Sequence, residues 1–218
     1  MFLGRIGCIY LFMVRTFSTM LPLGTVLPQF ELAVVKSTNL LGDPLLRGVD
    51  PINSKILVEK PILLMIICAH CPFVKHVEGE LTRLDKDYGD KVYILAIASN
   101  SLITHPQDGP ENLAVQIQQQ GWSFPYLLDL DQSLSKALHA ACTPDFFLFS
   151  PYENGVQQLM YRGQLDSSRP KGNVPVNGED LRAALKAVLE VKAVSPDQKP
   201  SIGCNIKWHP GQEPFWFG

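Results

Sequence analysis

Ile62-Leu63-Leu64-Met65-Ile66-Ile67-Cys68-Ala69-His70-Cys71-Pro72 is the stretch on which the fold of this chain turns. Six apolar residues follow Pro61 without alternation and end at a short turn. Such a run predicts a strand buried on both faces. At Pro72 the period changes. Phe73, Val77, Leu81, Leu84 and Tyr88 form one stripe, with Lys75, Glu78, Arg83 and Asp87 on the other side, so a helix is predicted from Pro72 to Tyr88 with Gly89 ending it. Proline suits the first helical turn, which puts Cys71 at the N-cap. The free amides and the positive end of the helix dipole then face its sulfur. That favours thiolate, the nucleophilic form of cysteine. Lys75 and His76, one turn on, would add positive potential. Cys68 lies three residues earlier, within reach of a disulfide if the turn allows it. A buried structural thiol is the competing reading for Cys68.

Outward from this junction, strands and helices alternate. Phe30–Val35 and Ile56–Glu59 are predicted strands before it, separated by a turn-rich stretch over 37–54. After it come a buried strand over Val92–Ala98, a polar loop over 99–109 and a helix over Pro110–Gln120 closed by Gly121. Tyr126–Leu128 is a short strand. Asp131 caps a helix carrying Leu134 and Leu138. Asp145–Phe149 and Val156–Arg162 form a hairpin, and Asn177 caps a last helix with Leu181, Leu185, Val188 and Leu189 inward. The order predicts an α/β fold, a central mixed β-sheet flanked by helices on both faces. Residues 1–19 are expected to be an N-terminal extension, 20–194 the domain, and 195–218 a tail without period. The extension is apolar, contains Arg5 and Arg15 and has no acid, which also fits an organelle-targeting segment. Its apolar run is too short to span a bilayer.

The chain has 218 residues, 46% hydrophobic and 18% charged, as expected of a globular domain with a sizeable core. A net charge of -2 offers no general attraction to nucleic acid or anionic membrane, and there is no Gly-rich phosphate loop. The five cysteines, Cys8, Cys68, Cys71, Cys142 and Cys204, are too sparse for a secreted disulfide scaffold, so a cytoplasmic, reducing compartment is expected.

A second landmark is Cys142-Thr143-Pro144 ahead of the strand Asp145–Phe149. A Thr-Pro about seventy residues after a strand-Cys-helix junction resembles the cis-proline loop of the thioredoxin fold. Cys68-Ala-His-Cys71-Pro72-Phe-Val-Lys-His76, the Thr143-Pro144 loop and Pro200-Ser-Ile-Gly-Cys204-Asn-Ile-Lys-Trp208 together resemble the peroxiredoxin-like (AhpC/TSA-related) group of the thioredoxin superfamily. The likeness runs from about residue 20 to residue 213. It implies a thioredoxin-like fold and a redox-active Cys71 supported by Pro72, Thr143, Pro144, His70 and Lys75, with Cys142 near Cys71. Cys71 matches the first cysteine of a thioredoxin Cys-x-x-Cys, and the second position falls on Val74. Cys71-Pro72 also matches the Cys-Pro of peroxiredoxins. Two positions depart from that group. The Thr or Ser three residues before the cysteine is Cys68, and the arginine before the later strand is absent, with Arg162 only a distant substitute. The site that would hold and polarise a peroxide is incomplete on this reading.

The expected function is thiol-dependent oxidoreduction, either disulfide exchange or peroxide reduction. Cys71 would attack, and Cys68, Cys142 or Cys204 would resolve. The alternative is a non-catalytic thioredoxin-like scaffold of a larger assembly. Expected partners are a thiol or disulfide protein or a peroxide, and the chain is expected to dock on a second copy or a larger complex. No cofactor is expected. Metal binding by Cys68, His70, Cys71 and His76 ranks below redox chemistry, because four ligands from one junction converge poorly. His105, His139 and His209 are expected to be solvated or core, Trp122 and Phe124 core, and Glu78, Glu80, Asp85 and Asp87 the wet face of their helix. The loop over 164–177 is expected either to be a surface loop or to wall the cysteine site. The tail should dock, because Ile202, Ile206, Trp208, Phe215, Trp216 and Phe217 are costly to leave in water. Gly203 would let its backbone approach closely. If the tail folds over the Cys71 end of the sheet, Cys204 is placed to resolve; the competing reading is that Ile206 and Trp208 cover an apolar patch and Cys204 is a passenger.

Overall fold

The apolar run becomes an interior strand. The structure, a computed structural model, describes residues 15–36 and 42–217. The strands are β1 (Arg15–Phe17), β2 (Glu31–Val34), β3 (Ile52–Asn53), β4 (Ile62–Ile66), β5 (Tyr93–Ala98), β6 (Tyr126–Leu128), β7 (Cys142–Thr143), β8 (Asp145–Phe149), β9 (Leu159–Gly163) and β10 (Ile202–Asn205). The helices are α1 (Pro72–Tyr88), α2 (Pro110–Gln120), α3 (Ser133–Ala137) and α4 (Glu179–Leu189). A seven-stranded mixed sheet runs β3-β2-β6-β5-β4-β8-β9. β4 pairs parallel with β5 and antiparallel with β8, so both of its edges are used.

The sheet divides the core into two layers. Leu63, Met65 and Ile67 face one side, with Val77, Leu81 and Leu84 of α1, Leu113 of α2 and Leu185 of α4. Ile62, Leu64 and Ile66 face the other, with Leu134 of α3 and with Ile206 and Trp208 of the tail. That two-sided burial is why the run shows no alternation. Trp122 and Phe124 are buried and stacked on each other, as expected of core residues.

Several local readings change. The strand expected over Ile56–Glu59 is instead β3, followed by a 3-10 turn over Ser54–Ile56. The Asn53 side chain accepts a 3.0 Å hydrogen bond from the Lys55 amide and bends the chain there. The second strand of the hairpin starts at Leu159 rather than Val156. The acids of α1 are not a wet face. Glu78, Glu80 and Asp85 are buried. Glu80 pairs with Arg83 and Arg182 at 2.5 Å each, Glu78 with Lys75 at 2.8 Å, and Asp85 accepts from the Ser123 amide at 2.6 Å. α1 lies against neighbours on both flanks, so its polar side is covered, and each acid is met by a cation or donor. Asp87 alone of the four is half exposed, and it pairs with Arg182 at 2.8 Å.

The tail is ordered into β10, which pairs antiparallel with β7 on one edge and β1 on the other. β1 lies in the stretch read as an extension; Cys8 lies outside the described residues. Docking of the tail is uneven. Ile206 and Trp208 are buried, while Phe215 is 92% exposed. Trp216 stacks on His139 with ring centroids 4.3 Å apart. No helix among the described residues is long and apolar enough to cross a membrane.

Candidate active site

Four cysteine thiols, all free and all buried, gather at the C-terminal end of β4. β4 ends two residues before Cys68. Cys71 is the N-cap of α1 in extended conformation (φ -68°, ψ 124°), with Pro72 in the first turn behind it. The Thr143–Pro144 bond is cis, and the loop lies against the site, with the Cys71 thiol donating to the Thr143 carbonyl oxygen at 3.3 Å. Cys68 Sγ is 3.7 Å from the Thr143 hydroxyl.

β10 brings the third thiol. Its register sets Cys204 opposite Thr143 and Asn205 opposite Cys142. The approach is so close that a Cβ on Gly203 would sit 2.0 Å from the Thr143 carbonyl oxygen and 2.6 Å from its carbon. Only glycine allows that backbone contact, and the contact sets Cys204 against the same Thr143 to which the Cys71 thiol donates.

The electrostatics single out one sulfur. Cys71 is held far below the ordinary thiol range, first by a hydrogen bond from Cys204, then by one from Cys68. The Thr143 hydroxyl and the Val74 amide add to this, while burial opposes it. Its neighbours move the other way. Cys204 is raised by its hydrogen bond to Cys71 and then by burial. Cys68 is raised by its hydrogen bond to Cys71, by burial and by the Asp108 charge. Burial and then the Asp145 charge raise Cys142. Cys71 is thus shifted downward and its three neighbours upward, so among the four thiols it is the one most readily ionised.

Other expected site residues fall differently. Lys75 pairs with Glu78 at 2.8 Å, and His76 Nε2 is 3.2 Å from the Ser168 hydroxyl. Arg162 points elsewhere, donating to the Leu21 carbonyl at 2.9 Å and to Gln198 Oε1 at 2.7 Å. The start of the 164–177 loop lies beside the cis-proline: Leu165, Asp166, Ser168 and Arg169 line a small cavity with Phe73 and Pro144, and none of the described cysteines lines it. His70 is joined by a residue that sequence reading passed over. Its Nδ1 is 2.6 Å from Asp108 Oδ2, and Asn100 Nδ2 donates to the same oxygen at 2.8 Å. Asn100 and Asp108 sit in the polar loop over 99–109, where no periodicity marks a residue as inward.

No protein-family model matches the chain, and no curated protein sequence does. Solved structures do. An uncharacterised conserved protein from Geobacillus kaustophilus is 43% identical over 91% of this chain and 98% of its own, with a TM-score of 0.80. A hypothetical protein from Sinorhizobium meliloti 1021 is 37% identical over 90% of this chain and 100% of its own, with a TM-score of 0.78. Mycobacterium bovis AhpC, at 17% identity and a TM-score of 0.53 over 82% of this chain and 98% of its own, shares the fold alone. The sheet order, the helix that follows Cys71 and these likenesses make the fold thioredoxin-like. The chain belongs to the family of the Geobacillus kaustophilus and Sinorhizobium meliloti proteins, a family built on the thioredoxin-like fold.

Proposed function

We propose that the chain is a thiol–disulfide oxidoreductase in which Cys71 Sγ attacks and Cys204 resolves. The observation that carries this reading is the gathering of Cys71, at the N-cap of α1, with Cys68 and Cys204 against the cis Thr143–Pro144 loop. The Cys71 thiolate attacks one sulfur of a substrate disulfide, that bond breaks, and a mixed disulfide forms. Cys204 then attacks Cys71 Sγ, passing its proton to the departing substrate thiolate. The products are a reduced substrate and a Cys71–Cys204 bridge, which a thiol donor reduces to close the cycle. Ala69 and His70, half-buried, mark the side on which a substrate approaches. Peroxide reduction is less well served. Cys68 stands where a hydroxyl would hold the peroxide, and the Arg162 guanidinium is engaged by Leu21 and Gln198.

Full burial of Cys71 favours a second reading, a non-catalytic thioredoxin-like binding module. Three measurements separate the readings. Reduction of insulin disulfides by a thiol donor is expected to be accelerated by the chain and lost, by at least ~100-fold, in Cys71→Ser. Cys8→Ser should retain it. Mass-spectrometric mapping of the oxidised protein should find Cys71 bridged to Cys204. A parent chain no faster than Cys71→Ser would leave the binding module. A Cys68–Cys71 bridge with Cys204 still alkylatable would remove Cys204 from the mechanism. Oxidation of Cys71 by hydrogen peroxide much faster than that of free cysteine would move the activity to peroxide reduction.

A further inference from the structure

We propose that Cys68, His70 and Asp108 form a binding site for a zinc-class divalent cation in the reduced protein. Their ligand atoms, the Cys68 sulfur, His70 Nδ1 and a carboxylate oxygen of Asp108, all lie within 4.8 Å of one another. Cys68 Sγ is 3.9 Å from Nδ1, and Asp108 Oδ2 is 2.6 Å from it. Both groups therefore address the same ring nitrogen. In a proton relay the nucleophile and the carboxylate sit on opposite ring nitrogens, which this arrangement forbids. One proton on Nδ1 serves Asp108 at 2.6 Å and leaves the sulfur, at 3.9 Å, only the long end of a sulfur hydrogen bond. A cation at the common point meets all three.

The donor set suits the ion. Thiolate, imidazole and carboxylate are the ligand types of zinc sites, with bonds of about 2.0 to 2.3 Å. Tetrahedral angles then place ligand atoms roughly 3.5 Å apart. Opening the Nδ1–Oδ2 pair by about 1 Å, and drawing the sulfur in by a few tenths toward Nδ1 and by about 1 Å toward the carboxylate, reaches that geometry. The carboxylate is already oriented. Asp108 Oδ1 accepts from the Ala69 amide at 3.1 Å and the His70 amide at 3.3 Å, and Asn100 donates to Oδ2 at 2.8 Å. Such outer contacts fix ligands and tune metal affinity. The Asp108 side chain is 1% exposed and that of His70 29%, so the site opens to solvent on the histidine side and leaves the fourth position to water. Binding releases the Cys68 thiol proton to water and moves the Nδ1 proton to Nε2, which leaves a neutral imidazole bound through Nδ1. The third ligand lies 38 residues after His70, which removes the difficulty of drawing every ligand from one junction.

The site uses neither Cys71 nor Cys204, so its failure and the failure of thiol exchange are distinguishable. The test is titration of the reduced full chain with Zn²⁺ against a chromophoric chelator, and with Co²⁺ followed by absorption. One ion per chain is expected, with a thiolate-to-cobalt charge-transfer band. Cys68→Ser should abolish the band. His70→Ala and Asp108→Asn should weaken binding more than ~10-fold, and Asn100→Ala about 10-fold. Cys71→Ser should keep stoichiometric binding and the charge-transfer band, since it supplies no ligand. Thermal melts without metal show whether each variant folds; should Asp108→Asn fail to fold, the half-exposed His70 keeps the proposal testable. No stoichiometric binding in competition, or a band kept in Cys68→Ser and lost in Cys71→Ser, overturns it.

Discussion

Asp145 has a carboxyl group out of reach of water. It is the residue after the cis-proline, 1% exposed, and its Oδ2 has no hydrogen-bond partner. Burial pushes its pKa up to about 8, with Ser201 and the Phe146 amide pulling weakly the other way. An unfolded Asp titrates near 3.9, so between roughly pH 4 and 8 the folded chain holds a proton that the unfolded chain has lost. Stability from this residue therefore falls as pH rises through that window and levels off above it. Asp108 and Asp166 are lowered by donors to their carboxylates, so their stabilisation is present above the unfolded value and lost as pH falls. Asp145→Asn keeps the shape without the charge. It is expected to raise the Tm by about 5 °C or more at pH 8 and by little at pH 4.5, as read from thermal melts. Equal shifts at both pH values would show that the carboxyl does not titrate between them. At this scale the sequence identified Cys71, because an N-cap position is a local property. It was silent on Asp145, whose burial comes from strands and a tail far away in the chain.

β10 is four residues long and carries much of the site. It sets Cys204 opposite Thr143 and joins β1 to the cis-proline loop. Gly203→Ala tests that role, because the new Cβ would meet a backbone carbonyl and not a flexible side chain. The expected cost is about 1 to 3 kcal/mol, seen as a lower denaturant midpoint. As β10 retreats, Cys71 loses its first donor, so the pH profile of its alkylation should move upward. A lower midpoint with an unmoved profile would mean that Cys204 is not what holds the Cys71 thiolate. α1, by contrast, was legible end to end, since its apolar stripe, opening Pro72 and closing Gly89 are all local signals. β7 and β10 were not. Strands of two and four residues in a small sheet show no period, and their pairing exists only once distant segments meet.

Across the whole molecule, the tail completes the core. Ile206 and Trp208 close the layer that Ile62, Leu64, Ile66 and Leu134 line on the far side of the sheet from α1. Trp208 is 4% exposed, and Trp208→Ala is expected to cost about 3 to 5 kcal/mol. Chemical denaturation checks this; a loss below ~1 kcal/mol would mean that the tail rests on the domain without supporting it. The apolar run at 62–67, the helix behind Cys71 and the Thr143-Pro144 loop were readable in the sequence, and they determined the mixed sheet and the place of Cys71 at the start of α1. Each depends on residues close together in the chain, where period, capping and turn chemistry act. The covered acids of α1, the Asp108–His70 pair and the seating of Cys204 on Cys71 were decided by tertiary structure alone. Those features depend on which surfaces meet after long loops close, and burial, charge pairing and backbone approach at such surfaces leave no periodic trace in the chain.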